Sequence, residues 1–339
     1  MHDEQLTRDE RVLRVRFAAD PASVPGARRF VADGLRAWGH HDLVEDAQLC
    51  VSELAGNAAL HGNGTYIEVY VVDLDTAVRV AVEDDGPAPA AAIAPRTTLP
   101  GLDAAFDAEL DEIAGLDDLE HLLDAPATGR GLAIVSVLAS DWGVEELENG
   151  KRVWADLAPG GTSAAARPVR RSPANPAASC AGTDTALPDG WAVVRLVGCP
   201  VELSLRQDQH LDELVRELTL MNVDKANAES AALARRLEAI LRAPAHARVA
   251  GRLQTQAALD RGEQLVDVEM AMPSDFSHGV RRLDEAVREA DVLCDERRLL
   301  TLASSPDLRT FRTWMTEEIV GQVERGAAPV AWAEWLASR

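Results

Sequence analysis

The stretch Leu49-Cys50-Val51-Ser52-Glu53-Leu54-Ala55-Gly56-Asn57-Ala58-Ala59-Leu60-His61-Gly62 organises the chain. It reads as a helix. Leu49, Leu54, Ala58 and Leu60 give a partly apolar wheel, and Gly62 stands where a helix would stop. Glu53, Asn57 and His61 recur at i, i+4 and i+8, which stacks three polar side chains on one helical face. Alone, such a trio reads as a solvated face. Two later segments change that reading. Val82-Glu83-Asp84-Asp85-Gly86-Pro87-Ala88 puts an aspartate and a glycine just after an alternating strand. Thr128-Gly129-Arg130-Gly131-Leu132-Ala133-Ile134-Val135 is a Gly-X-Gly turn that opens an apolar helix.

The segments around these three complete a pattern. Residues 1–10 form a polar tail. Arg11 to Ala18 alternate Val12, Leu13, Val15 and Phe17 against Arg14 and Arg16, which predicts a strand with one wet face. Ala22 to Trp38 reads as a helix with Val31, Leu35 and Trp38 on one side. The next helix runs from His40 to Gly62, with Asp42 as N-cap and Glu45 at capping-box spacing. Tyr66 to Asp73 and Ala77 to Glu83 are β-rich runs around Leu74-Asp75-Thr76, a hairpin signal. Gly131 to Ala139 is helical. Trp142 to Leu147 and Val153 to Leu157 are strands joined at Glu148-Asn149-Gly150. The order β-α-α-β-β-(insert)-α-β-β fits a mixed sheet covered by helices on one face.

The insert, residues 87–128, begins as an irregular Ala/Pro-rich stretch. Leu102, Phe106, Leu110 and Ile113, then Leu116, Leu119, Leu122 and Leu123, space two short amphipathic helices broken near Gly115. Asp103, Asp107, Glu109, Asp111, Glu112, Asp117, Asp118, Glu120 and Asp124 make it strongly acidic. No Lys or Arg occurs between Pro100 and Gly129. Such a charge would repel polyphosphate. The two helices are therefore expected to point away from any nucleotide, as a partner-binding surface or flap, unless they are a plain soluble insertion. Residues 159–189 form a flexible linker rich in Pro, Ala, Ser and Gly. Beyond it, Trp191 to Leu205 is β-like, and stripes such as Leu211, Leu214, Val215 and Leu218 make residues 190–339 a mostly helical bundle.

Composition bounds the function. In 339 residues, acids outnumber bases 56 to 34 and the net charge is −22. That argues against holding a nucleic acid backbone, which needs clustered Lys and Arg. Cys50, Cys180, Cys199 and Cys294 lack metal-ligand spacing and read as reduced thiols of a cytosolic protein. Met1-His2-Asp3-Glu4-Gln5-Leu6 is polar, so no signal peptide is expected. No apolar run approaches the roughly 20 residues that span a bilayer. His210, His246 and His278 are too far apart in sequence for a metal-ligand reading.

The Glu/Asn helix, Asp-X-Gly turn and Gly-X-Gly helix start, in that order, resemble the N, G1 and G2 boxes of the GHKL (Bergerat-fold) ATPases. The branch that looks most similar is the anti-sigma-factor serine/threonine kinases of bacterial partner-switching systems, with an actinobacterial flavour. Their Glu-X-X-X-Asn-X-X-X-His helix is matched by Glu53, Asn57 and His61. The resemblance covers residues 11–158. It implies a two-layer α/β sandwich binding ATP and Mg²⁺, followed here by the helical C-terminal domain: an α+β chain. It implies Glu53 as general base and Asn57 as magnesium ligand. A neutral amide oxygen is a hard ligand that suits Mg²⁺ bridging phosphates, and a carboxylate one turn earlier can accept the proton of an attacking hydroxyl. His61 either orients a phosphate or ends the helix. Asp84 accepts a hydrogen bond from the adenine amino group beside Gly86; Asp85 competes, and the spacing to Gly86 favours Asp84. Where Ala88 stands the family usually has a second glycine. Gly129, Arg130, Gly131 and Leu132 line the phosphates at a helix start.

Two functions follow from the resemblance. One is a kinase that binds a sigma factor and phosphorylates an anti-anti-sigma protein of the STAS type. The other is an ATP-binding regulator that sequesters a partner without phosphorylating it, which the unusual insert, Ala88 and the large second domain favour. A homodimer is implied by the family. No phospho-accepting histidine helix precedes the ATPase segment, and no transducer domain follows it, which weakens histidine-kinase and clamp-ATPase readings.

Overall fold

The computed structural model describes residues 11–61, 64–74, 76–86, 130–147, 150–160, 187–223, 232–233, 235–237, 240 and 245–339. The chain divides into two compact units, Met1–Asp189 and Gly190–Arg339. The insert 87–128 and most of the 159–189 linker lie outside the described residues, so the expected amphipathic pair does too.

The first unit carries one five-stranded sheet: β1 (Val12–Ala18), β2 (Tyr66–Asp73), β3 (Val78–Asp84), β4 (Asp141–Leu147) and β5 (Gly150–Leu157), in the order β1-β2-β3-β5-β4. Every pairing is antiparallel, which corrects the mixed sheet expected from sequence. The reason lies in the first connection. Two helices in succession, α1 (Val24–Trp38) and α2 (Val44–His61), return the chain to the end it left, so Tyr66 pairs with Ala18. A single crossover helix would have made β2 parallel.

Alternation sorts the strands. Leu13, Val15, Phe17, Ile67, Val69, Val71, Val80, Val82 and Leu157 are buried beneath the helices. They meet Phe30, Val31 and Leu35 of α1 and Ala47, Val51, Leu54 and Ala58 of α2. Phe17 packs edge-on to Phe30 at 6.5 Å. Leu13 presses so closely on α1 that a Cβ on Gly34 would lie 2.5 Å from it. The apolar wheel first drawn for α2 shifts. Leu49 and Leu60 are exposed, and Ala47, Cys50, Val51, Leu54, Ala55 and Ala58 are the buried ones. Asp42 is not the cap expected of it. It sits inside a short 3-10 turn, His41–Leu43, that tucks Leu43 into the core before α2 begins.

The second unit pairs β6 (Trp191–Pro200) with β7 (Leu265–Pro273), antiparallel. Its helices are α4 (Val201–Val223), α5 (Ala245–Asp260), α6 (Phe276–Asp295), α7 (Pro306–Arg325) and α8 (Trp332–Ala337). The region is mainly helical, with two departures from the sequence reading. Val201 to Leu205 are helix: Val201, Leu211, Leu214 and Leu218 bury with helical spacing. Val266, Val268, Met270 and Met272 alternate with Asp267, Glu269 and Ala271 as a strand between α5 and α6, in a region expected to be mostly helical. One apolar cluster joins Leu211, Leu214, Leu218 and Leu237 to Leu283 and Val287. Another gathers Val194, Val268, Phe311, Trp314 and Trp335, with Trp332 stacked on Trp335 at 5.8 Å. Among the described residues, no helix is long and apolar enough to cross a membrane.

Candidate functional site

Helix α2 presents Glu53 and Asn57 one turn apart, both half-buried. The helix α3 (Arg130–Leu138) starts directly over them. A Cβ on Gly131 would stand 2.7 Å from Glu53 Oε2 and 3.2 Å from Asn57 Nδ2. Two segments more than seventy residues apart in sequence are thus brought to one spot, and a side chain at 131 would have to displace the Glu53 carboxylate. The first turn of α3 leaves backbone N–H groups without helical partners beside the two polar side chains. That combination suits an anion held by the amides and a cation held by the oxygens. Leu132 is half-buried next to Gly131. His61 is the last residue of α2. Its side chain, that of Arg130, and Gly129 and Ala88 lie outside the described residues.

The end of β3 supplies the third part. Asp84 is buried, and its Oδ1 accepts the Gly86 N–H at 3.0 Å. Asp85 has a different task. It accepts from the Thr65 N–H at 2.7 Å, the Thr65 hydroxyl at 2.6 Å and the Tyr66 N–H at 3.1 Å. Burial works against its charge, but those bonds hold the Asp85 carboxyl below the usual carboxylate range. Asp85 therefore ties the start of β2 to the turn, and Asp84 is the aspartate facing the helices. The chain between α2 and β2 runs tightly past this turn: a Cβ on Gly64 would fall 2.2 Å from Asp85 Oδ1 and 3.0 Å from the Gly86 nitrogen.

Sequence reasoning missed Lys151. Its ammonium lies 2.9 Å from Asp84 Oδ2 and 3.1 Å from Oδ1, and both side chains are buried, 5% and 2% exposed. Lys151 and Asp84 are register partners across β3 and β5. The signal was available, since Lys151 occupies the inward phase of Lys151, Val153, Ala155 and Leu157. Reading that strand only from Val153 hid it.

Among the described residues no group of three or more His, Cys, Asp or Glu could hold a metal ion. A divalent ion here would rest on Asn57 and on ligand phosphates, a pattern that suits Mg²⁺. Cys50, behind Glu53 on α2, is fully buried. Burial, with Asp46 and Glu53 nearby, pushes its thiol up to about 12, so it is an inert packing residue.

In the second unit, His210, Asp291 and Ser304 meet in the interior. Ser304 Oγ lies 3.0 Å from His210 Nε2, and Asp291 Oδ1 lies 3.7 Å from that same nitrogen. Nucleophile activation needs the hydroxyl and carboxylate on opposite ring nitrogens. Arg312 also donates to Ser304 Oγ at 2.5 Å. The cluster is an internal clasp joining α4, α6 and α7. His246 likewise is a core histidine, against the Ala271 carbonyl at 3.2 Å.

Residues 17–157 match the family model of the histidine kinase-like ATPase domain, and the match ends with β5. No curated protein matches the chain.

Proposed function

We propose that this chain is an ATP-dependent protein serine/threonine kinase of the anti-sigma type, acting in the cytoplasm. It would bind a sigma factor and phosphorylate an anti-anti-sigma partner of the STAS type. The observation that carries the reading is the meeting of Glu53, Asn57 and Gly131 at the start of α3, within a histidine kinase-like ATPase domain. In this reading the α3 amides, with Gly129 before them and Arg130 at the helix start, would hold the polyphosphate, and Asn57 would hold Mg²⁺, which would neutralise phosphate charge there. Asp84 and Gly86 receive the base. Glu53 accepts the proton of a partner serine as that oxygen takes the γ-phosphoryl group, and ADP leaves with the electrons of the broken bond.

Calorimetry of Mg²⁺-ATP binding to wild type and Asn57→Ala tests the nucleotide site. Binding in the wild type that is lost in the variant is the expected result; a wild type that binds no ATP sinks the proposal. Transfer of label from γ-labelled ATP to a STAS-type protein, absent with Glu53→Ala, tests the kinase step. ATP binding and partner capture without any transfer would favour the sequestering regulator instead, the reading to which the acidic insert also lends support.

A further inference from the structure

We propose that Lys151 is a specificity-determining residue of the base site, and that with Asp84 it lets this site take 6-oxopurine as well as 6-aminopurine triphosphates. The inference rests on the ATP-site reading above and deepens it.

An ionised carboxylate offers about four acceptor positions, and an ammonium offers three donors. Asp84 Oδ1 takes the Gly86 N–H and one Lys151 hydrogen, and Oδ2 lies 2.9 Å from the same ammonium. Acceptor capacity on Asp84 and donor capacity on Lys151 are left over. Among the described residues neither has a further partner. Lys151 does not leave readily. Separating a buried ion pair strands two charges away from water, at a cost no single neutral hydrogen bond returns. A base arriving at Asp84 therefore meets the pair, not a lone carboxylate.

The pair and a lone carboxylate select differently. A carboxylate alone accepts the amino group of adenine but repels a carbonyl oxygen at position 6. An acceptor beside a donor fits both purine edges. Adenine gives its amino hydrogen to Asp84 and takes a hydrogen from Lys151 at N7. A 6-oxopurine gives its N1–H to Asp84 and takes a hydrogen from Lys151 at O6. The same two groups serve both, with the base shifted by one position along its edge. Lys151 is fixed to this task by register: β5 places it opposite Asp84 on the helix-facing side of the sheet.

Inosine triphosphate is the probe, because it differs from ATP only at positions 6 and 1. Calorimetry should find the two triphosphates bound by the wild-type full chain within about tenfold of each other. Lys151→Met should weaken inosine triphosphate relative to ATP by more than about tenfold, the ratio being the readout. A wild type that binds ATP and discriminates against inosine triphosphate by more than about tenfold overturns the proposal and leaves the ATP site standing. An unchanged ratio in a folded Lys151→Met protein overturns it too. Should that variant fail to fold, the wild-type ratio decides alone. Binding of neither nucleotide would overturn the ATP-site reading itself, and this inference with it.

Discussion

Glu83–Arg152 and Asp84–Lys151 are consecutive rungs of one ladder between β3 and β5, and they face opposite sides of the sheet. On the open side, Arg152 bonds Glu83 at 2.8 Å and Glu145 at 3.3 Å, and the one hydrogen of the Tyr70 hydroxyl is shared between Glu68 at 2.8 Å and Glu83 at 3.2 Å. Arg14 closes the group on Glu68 at 2.6 Å, and Arg79 lies over Trp154 at 3.9 Å while holding Asp156. That side is a lattice in which each charge has several partners. Its Tyr70 hydroxyl is pushed up by burial and by Glu68 and Glu83. On the helix side Asp84 and Lys151 have each other and the Gly86 N–H. The same chemistry, one residue along, gives a redundant cover on one face and a solitary determinant on the other. Redundancy spreads the cost of a lost charge, and solitude concentrates it.

The largest effect should come from breaking the solitary pair. Lys151→Ala leaves Asp84 uncompensated in the interior, and urea unfolding should show a loss of about 3–5 kcal/mol. Arg152→Ala should cost only about 1–2 kcal/mol, because Glu83 keeps the Tyr70 hydroxyl and lies nearer water. Equal losses for the two would remove the distinction between the faces.

Next is Gly131→Ala. The added methyl meets the end of the Glu53 side chain, which can swing aside, so the fold should survive with a cost under about 1 kcal/mol. Glu53 would then be displaced from the hydroxyl it serves, and phosphotransfer should fall about 10- to 100-fold. Full transfer in this variant would mean that the close approach of α3 to α2 does not position Glu53.

What the sequence discloses follows from how local the signal is. Glu53 and Asn57 lie one helical turn apart, and their shared face is visible without knowing anything else about the fold. The strands β1 to β3 show in their alternation, and the start of α3 in its Gly-X-Gly turn. Lys151 could not be recognised that way, because its meaning depends on pairing with a residue 67 positions earlier. The antiparallel order of the whole sheet is non-local in the same sense. In the second unit, Val266, Val268, Met270 and Met272 alternate at strand spacing, but helical stripes on either side compete with that short signal. Val201 to Leu205 show the reverse case: five residues do not separate a strand from a first helical turn.

The smallest effect separates the two neighbouring aspartates. Asp85 is half-exposed and serves the backbone of Thr65 and Tyr66, so Asp85→Ala should cost about 1 kcal/mol and leave the choice of base unchanged. The pH dependence gives the sharper test. The Asp85 carboxyl is held below its usual 3.8, so the folded state binds its proton less readily than the unfolded chain. Its contribution is then fully present above the unfolded value and is lost as pH falls through the folded one. Wild type and Asp85→Ala should differ most near neutral pH and converge in acid below about pH 4. A difference that persists undiminished into strong acid would show that the Asp85 side chain acts through packing, not through its charge.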